Sequence, residues 1–574
     1  MSSFYDDASL VVIPSGYKTS KIYAEKPTDG SGDLTFTRAS GATRVASNGL
    51  IEKVRTNICL QSNTFSNAAW NKIAQGAGTT PVVTANYTTD PFGGNNGWRL
   101  QCNLGGGTTT SDRSWLQQDI AGTTVPTTVS VYAKLNSAGS ATFALTNAST
   151  DNVTITSTDW VRISTVRTAA TTVYSFRIGL IGGVGQSGTL DISIAFAQLE
   201  TGDIATNYIP TTTAAVSVGP VSNLPRLDYL GSSCPRLLLE PQRTNLALYS
   251  EQLNNANWTN IDSTISANTT ATLDPAGYYG ADKIVENSAT SGHSVYQAIS
   301  VTNGATYTLS VFAKAAERTK VWLDLFGGSN AGVFDLSTGT VVAVSSGASA
   351  VITQYANGWY KCAVTAVAPD PTLYINVGPT TGNTTNNQYA GNGTSGIYIW
   401  GAQLEAGAYA TSYIPTLGAS VTRVADIATK TGITSLIGQT EGTLFAEINW
   451  VNNSVDSVFA TLSDGTTNNR IHFGNAATGS WYLYSEAGAA TQVNITTPTP
   501  VNGKYKIAVA YKLNDYAFYI NGVQIAVDNS ATVPATSQIN VGGFITAGLE
   551  QSVNQALVFK TRLTNAQLAE LTTL

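Results

Sequence analysis

His293 and His472 are the only two imidazoles in the chain, so a Ser-His-Asp triad or another histidine-based nucleophilic device would have to pass through one of them. Neither context points to that chemistry. The sequence contains no GxSxG elbow, no HExxH and no Walker loop, and the one lysine that follows a glycine, Lys504, is followed by Tyr505. Both histidines are therefore expected at surface or turn positions. GxGxxG occurs twice, at Gly183, Gly185, Gly188 and at Gly391, Gly393, Gly396, but each run leads into an apolar strand pattern and not into a helix. A dinucleotide phosphate needs the helix N-terminus, so both runs read as glycine turns. Paired carboxylates of the glycosidase kind are harder to dismiss, because sequence does not show their separation. The acids that recur, Glu200 and Glu405, each close a Gln-Leu-Glu run before a Tyr-Ile-Pro exit, which a structural hydrogen-bonding role explains. No catalytic residue is assigned and the chain is expected not to be an enzyme. Asp90-Pro91 and Asp274-Pro275, each followed by glycine, could offer oxygens to calcium, but an Asp-Pro turn is the simpler reading; no metal or other cofactor is assigned.

Carbohydrate recognition is better provided for. Sugar rings have apolar faces that stack on aromatic side chains, while Asn, Gln, Asp and Thr satisfy their hydroxyls. The candidates are Trp98 and Trp115, then Tyr278, Tyr279, Tyr296 and Trp322, and towards the C-terminus Trp481, Tyr482 and Tyr484. They are selected by a comparison internal to the chain. Arg55-Thr56-Asn57 and Trp70 return as Arg243-Thr244-Asn245 and Trp258; Ala133-Lys134 returns as Ala313-Lys314, and Trp160 as Trp359. Gln198-Leu199-Glu200 returns as Gln403-Leu404-Glu405, and Tyr208-Ile209-Pro210 as Tyr413-Ile414-Pro415. The offset between copies changes from block to block, as in a duplicated module with loops of variable length. Aromatics matched between the copies, the Trp70/Trp258 and Trp160/Trp359 pairs among them, are packing candidates; unmatched ones are recognition candidates.

The elements that must position these residues are strands. Val129, Val131 and Ala133 alternate with Ser130, Tyr132 and Lys134, and Leu309, Val311 and Ala313 alternate with Ser310, Phe312 and Lys314. One apolar face at period two is a strand on a core. Many such runs with Gly, Asn and Asp turns between them predict an all-β chain of tandem antiparallel β-sandwich or jelly-roll domains. The C-terminal part differs from the repeat but is also β. Tyr505 to Tyr511 alternates, and Asn521-Gly522 between apolar runs is a type I′ hairpin signal. Thr564 with Gln567 predicts a capping box on a short final helix, with Leu563 stapled onto Leu568.

At 574 residues, with only 11% charged and a net charge of -6, the chain has room for several cores and no basic stripe for a phosphate backbone. Nucleic acid is not expected as a partner. No apolar run is long enough to span a bilayer, and residues 1–7 lack the regions of a secretory signal. Cys59, Cys102, Cys234 and Cys362 form no CxxC pair and are expected to be free, mostly buried thiols. The first fifty residues match neither copy; they could be a tail, an added strand or a docking arm, and docking is favoured.

Two stretches resemble tailed-phage structural proteins: LTFTRASGATRVASNGLIE at Leu34–Glu52 and PRLDYLGSSCPRLLLEPQRTN at Pro225–Asn245, here split by the first copy of the repeat. Residues 242–422 are similar to the carbohydrate-binding jelly roll of such proteins, and 438–574 to a concanavalin-like, laminin-G-like sandwich. The resemblance implies a virion-docking segment at 1–53, β-sandwich modules at 54–217 and 242–422, linkers at 218–241 and 423–437, and a concanavalin-like C-terminal domain at 438–574. It further implies a virion-surface appendage, a head or tail fibre or decoration protein, commonly a homotrimer. Its partners would be other virion proteins through the N-terminus and host-surface glycans through the sandwiches. Structural decoration without glycan binding, and glycan depolymerisation, are the alternatives.

Overall fold

A computed structural model describes residues 2–122, 125–146, 152–167, 173–325, 330–450, 456–543 and 551–574. The fold is all-β, as the alternation requires, and the chain divides into two compact units: Met1–Lys53 with Pro220–Leu574 (unit 1) and Val54–Gly219 (unit 2).

Unit 2 is a sandwich of two five-stranded antiparallel sheets. In one, Val161–Arg167, Thr127–Leu135, Thr189–Thr201, Gly97–Asn103 and Val82–Thr88 lie side by side; in the other, Asn152–Ile155, Ala141–Ala144, Val173–Ile181, Arg113–Ala121 and Asn71–Gln75 do. Val129, Val131, Ile192 and Ile194 face Phe176 and Ile178 across an apolar core. Unit 1 contains the second copy in the same order, with six strands per sheet because Thr340–Val344 and Ser349–Gln354 are added at the edges. Even the irregularities match. The pairing of Thr127–Leu135 with Thr189–Thr201 slips between Ser130 and Tyr132, and that of Thr306–Ala315 with Gly396–Ala406 between Ser310 and Phe312. The bulged strands carry Phe196 at φ 59° and Gly401 at φ 65°, the left-handed conformation that a β-bulge imposes.

The recurring polar motifs hold each module closed. Asn57 donates to the carbonyls of Ala197 and Ile209 at 3.2 and 2.8 Å and accepts from the N–H groups of Cys59 and Leu199 at 3.0 and 3.1 Å. Asn245 makes the same four bonds, to Ala402 and Ile414 and from Ala247 and Leu404, at 3.0–3.1 Å except for 2.8 Å to Ile414. Each module is then closed by a short two-stranded stem, Arg55–Asn57 on Val216–Val218 and Arg243–Asn245 on Val421–Arg423.

The C-terminal sandwich is not confined to residues 438–574, and residues 1–53 are not a pendant arm. Leu10–Val12 and Arg236–Leu239 pair with Gln551–Phe559, and Leu34–Thr37 pairs with Ile427–Lys430, which pairs with Gln538–Val541. Leu34 and Phe36 point inward while Thr35 and Thr37 point out. Leu10, Ile22, Leu34, Phe36 and Leu239 are fully enclosed in the same core as Phe459, Phe473 and Phe518. Burying one such side chain is worth roughly 1.5–3 kcal/mol, so these segments are structural strands. The segments 218–241 and 423–437, expected as linkers, contribute strands to the same sandwich for the same reason. The chain starts the sandwich, leaves it to build one module, returns, leaves to build the second, and returns again.

A buried ion cluster ties these passes together. Arg38 contacts Asp426 at 3.0 Å, Arg226 contacts Glu240 at 2.6 Å and also Asp426, and Arg423 contacts Glu240 at 2.8 Å, with every side chain almost wholly enclosed. Arg38 further donates to the carbonyls of Pro220, Val221 and Leu224, and Glu240 accepts from the Ser412 amide. Burial pushes Arg38 down to about 10, with Asp426 opposing and Arg226 adding to the fall. Burial works against the charge of Glu240, yet Arg423 and Arg226 hold its carboxyl well below the usual range.

The final helix, Asn565–Thr572, carries the expected capping box, and Leu563 and Leu568 share one apolar cluster. Phe4 is buried in that cluster too, which further anchors the N-terminus. Asn521 and Gly522 have φ of 47° and 82°, as a type I′ hairpin requires. All four cysteines are free; Cys59, Cys102 and Cys362 are buried and Cys234 is exposed.

Candidate functional site

Unit 1 contains a cleft of about 660 Å³, a size that suits an oligosaccharide segment. One wall is the outer face of the module sheet. The residues that alternate away from the core, Phe312 on Thr306–Ala315 and Lys361, Ala363 and Thr365 on Tyr360–Val367, look into it, with Ser349, Val351 and Thr353 on the edge strand. The loop Ala408–Tyr413 supplies Tyr409 and Tyr413. The opposite wall comes from the hairpin of Thr43–Val45 and Ile51–Lys53, from Asp228 and Arg236, and from Asn449 and Ser552 of the C-terminal sandwich.

The floor is a packed aromatic group. Phe312, Trp400 and Tyr413 have ring centroids 4.6–6.1 Å apart, Tyr355 meets Phe312 edge-on at 5.0 Å, and Ile51 of the hairpin closes one end. Tyr355 and Tyr409 are half-buried, and the Arg243 guanidinium lies 5.2 Å from the Tyr409 ring centroid. Polar groups stand around them. Lys361 donates to the Thr411 carbonyl with its Nζ 5.8 Å from the Phe312 ring. Arg44 is held by Glu52 and the Tyr17 hydroxyl, each at 2.8 Å. Burial raises the Asp228 carboxyl, against hydrogen bonds from the Val45 and Leu230 amides, and lowers Arg236. Aromatic surface beside fixed hydroxyl, carboxyl and cationic groups is what binding a polyhydroxylated ring demands.

Beside the aromatic floor, Asp274 is pushed up to about 6 by burial, opposed by the Tyr278 N–H and Lys53 and assisted by Glu251. Its folded value lies above the ordinary carboxyl value of 3.8, so the folded state binds the proton more tightly. The associated stabilisation is complete below the unfolded value and lost as pH rises through about 6. Asp274→Asn should therefore remove up to about 3 kcal/mol of pH dependence between pH 4 and 7.5. Calorimetric melting of both proteins across that range checks it, and parallel curves would count against the assignment.

The structure distributes the residues singled out in the sequence. Trp98, Trp115, Trp322 and Trp481 are all buried and offer no open ring face. Their indole N–H groups explain three of the placements: Trp98 donates to Asn63 O, Trp322 to Thr385 O and Trp115 to Gln117 Oε1. Trp481 packs against Trp450, Phe459 and Tyr505. Tyr278 is half-buried in the Asp274 turn beside Tyr279, which is 53% exposed. Tyr296 pairs with Tyr374 at 5.9 Å on the far face of the module. Tyr482 and Tyr484 flank His472 at 5.6 and 5.4 Å. None of the nine lines the cleft. Of the matched pairs, Trp70, Trp258 and Trp359 are buried as expected, whereas Trp160 is only half-buried.

His293 lies in the connection between Thr290–Ser291 and Ser294–Ser300 but is not at the surface, and His472 departs from the expected surface or turn placement, being a buried residue of the strand Arg470–Asn475. His293 is fully buried, with Nδ1 2.7 Å from the Asp262 carbonyl, and the buried His472 is pushed down to about 3 by burial and by Arg470. Glu200 accepts from the Thr206 amide and hydroxyl at 2.8 and 2.5 Å, and Glu405 from the Thr411 amide at 2.9 Å and its hydroxyl. Asp90 and Asp274 accept from the N–H groups of their own turns, Asp90 from Phe92 and Gly94 and Asp274 from Ala276 and Tyr278. The residues that sequence reasoning passed over are Phe312, Tyr355, Lys361, Tyr409 and Tyr413. The outward register of Phe312 beside Lys314 was the available signal.

No family model matches the chain, and no curated protein does. Among solved structures, the CBM40 module of the Ruminococcus gnavus IT-sialidase bound to alpha2,3 sialyllactose is 16% identical, with 24% of this chain and 84% of that one covered at a TM-score of 0.22. The CBM22-1-CBM22-2 tandem of Paenibacillus barcinonensis Xyn10C is 13% identical and covers 64% of this chain and 99% of its own, also at 0.22. A SAP-like pentraxin from Limulus polyphemus is 15% identical, with 22% and 68% covered at 0.19.

Proposed function

We propose that this chain is a glycan-binding protein whose sandwiches hold a saccharide without chemically altering it, and that the cleft of unit 1 is the binding site. The observation that carries the reading is the cleft itself: about 660 Å³, with Tyr355 and Tyr409 above an aromatic floor and Lys361, Arg44, Arg236 and Asp228 on its walls. A non-catalytic role is supported by the engagement of the recurring acids, Glu200 and Glu405, in structural hydrogen bonds. The resemblance of Leu34–Glu52 and Pro225–Asn245 to phage structural proteins supports placing the chain on a virion surface, where a trimer would multiply weak sugar contacts and bring them to host glycans.

Purified full-length protein on a glycan array tests the reading. Tyr355→Ala combined with Tyr409→Ala should weaken binding of the preferred glycan at least about tenfold, since each ring contributes on the order of 1 kcal/mol. An unchanged profile would reject the cleft. Absence of any glycan signal would favour structural decoration, and release of reducing ends from a bound polysaccharide would favour depolymerisation.

A further inference from the structure

On the far face of its module, away from the cleft, unit 1 carries rings where unit 2 carries none. Strands Ser294–Ser300 and Thr372–Thr380 pair antiparallel, and Val295, Ile299, Leu373 and Ile375 turn into the core, so Tyr296, Ala298 and Tyr374 look outward. Ala298 lies directly opposite Tyr374, which makes Tyr296 and Tyr374 diagonal neighbours, with ring centroids 5.9 Å apart and planes at 56°. The matching strands of unit 2 are found through Gln118, which holds the Leu60 amide and carbonyl as Gln297 holds those of Leu248. That register sets Gln117, Asp119 and Ser175 against Tyr296, Ala298 and Tyr374.

In unit 2 the three polar residues bond to one another: Gln117 donates to Asp119 at 2.8 Å and the Ser175 hydroxyl donates to it at 2.6 Å. The sheet therefore forms without an aromatic side chain at either position. Unit 1 has an alanine in place of the acceptor and tyrosines in place of its two partners. Among the described residues neither tyrosine hydroxyl has a hydrogen-bond partner. An aromatic pair that the sheet does not need, and that stays in water, marks an interaction surface.

The face is closed at one end and open at the other. Trp322, opposite Gly378, is buried and donates to the Thr385 carbonyl, and in the next row Asn376 donates to the enclosed Asp324 at 3.3 Å. Beyond that row Tyr374 is 47% exposed, and Ala298 and Ser300 are exposed too. Because Ala298 ends at its Cβ, the rings stand above it as a step: one offers a face and the other, tilted by 56°, a side wall. A pyranose ring suits such a step, its apolar face against one tyrosine and its hydroxyls turned to the phenolic groups and to exposed Thr259, the cross-strand partner of Tyr296.

Charge narrows the class. Thr259, Ala298, Ser300 and Thr372 carry none, Asp324 is enclosed, and Asp370, exposed just before Thr372, is an acid. Lys320 belongs to the closed end, opposite Thr380, where it donates to Asn383. A carboxylated or sulfated sugar would meet an acid and no cation among these residues. We infer that the module of unit 1 carries a saccharide-binding face at Tyr296 and Tyr374, apart from the cleft, that takes a neutral hexopyranose. It rests on the glycan-binding reading of the chain and not on the cleft.

The test uses the full chain on an array of neutral gluco-, galacto- and manno-oligosaccharides beside sialylated and uronic-acid ones, with the melting temperature of each variant measured in parallel. Tyr296→Gln, Ala298→Asp and Tyr374→Ser together restore the trio that the fold accepts in unit 2, so the triple variant should melt like the wild type. It should weaken binding of a neutral glycan at least about tenfold and leave acidic glycans unaffected. Tyr374→Ala alone, at an exposed position, should weaken the neutral signal about fivefold, and it decides the matter if the triple variant melts lower. Tyr374→Phe, which keeps the ring, should bind within about twofold of the wild type. The inference is overturned if the wild type binds no neutral glycan, if the triple variant and Tyr374→Ala both bind like the wild type, or if only acidic signals fall. It is also overturned if Tyr374→Ala alters only self-association in sedimentation, which would give the face to a second copy. Tyr355→Ala with Tyr409→Ala tests the cleft separately: a neutral signal kept by that variant and lost by the triple variant leaves this face standing without the cleft, and the opposite pattern leaves the cleft without this face.

Discussion

Asp426→Asn is expected to destabilise unit 1 by about 3–5 kcal/mol, the cost of stranding buried charge when one partner of an enclosed ion pair is removed. Asp426 faces both Arg38 and Arg226, and it also accepts the Glu240 amide at 2.9 Å. With the carboxylate gone, three guanidinium groups, those of Arg38, Arg226 and Arg423, would share the single carboxylate of Glu240 inside the protein. Burial already pushes Arg38 down to about 10 in the intact cluster. Urea unfolding followed by tryptophan fluorescence reads the change, and a loss below about 1 kcal/mol would show that water relieves the cluster. The cluster also sets an acid limit. Glu240 is held below its ordinary value of 4.5, so its stabilisation is present above that value and disappears as pH falls through its much lower folded value.

Asn245→Ala and Asn57→Ala should each cost about 3 kcal/mol or more, because two buried carbonyls and two buried N–H groups lose their partner at once. The effects should be local. Hydrogen exchange is expected to rise within 54–219 for Asn57→Ala and within unit 1 for Asn245→Ala. Equal acceleration throughout the chain in both variants would show that the two units open together.

Much of the architecture was legible from alternation alone. Val129 to Lys134 and Leu309 to Lys314 gave the strands with their correct inner faces, and the Asn521-Gly522 hairpin and the Thr564 cap are local devices readable from a few residues. The long-range pairings were not. Leu34-Thr35-Phe36-Thr37 alternates plainly, but nothing in four residues says that their partner is Ile427–Lys430. Recurrence between the copies does not mark the cleft. Tyr132 and Phe312 recur at matching positions of equivalent strands, yet both lie on the outer face and not in the core. The unmatched tryptophans, by contrast, are buried: Trp98 meets Phe65 in the core of its module, and Trp322 donates to Thr385. Duplication preserves a surface as faithfully as a core, so recurrence alone cannot separate the two.

The paired stems carry a consequence for how such a chain can change over time. Because Arg55–Asn57 lies directly against Val216–Val218, and Arg243–Asn245 against Val421–Arg423, each module leaves and rejoins its neighbour through adjacent chain ends. A gene segment encoding everything between a pair of ends can be deleted, doubled or exchanged for another without disturbing the host sandwich's strand order. The module between the stems can then vary while the strand order of the host sandwich stays fixed.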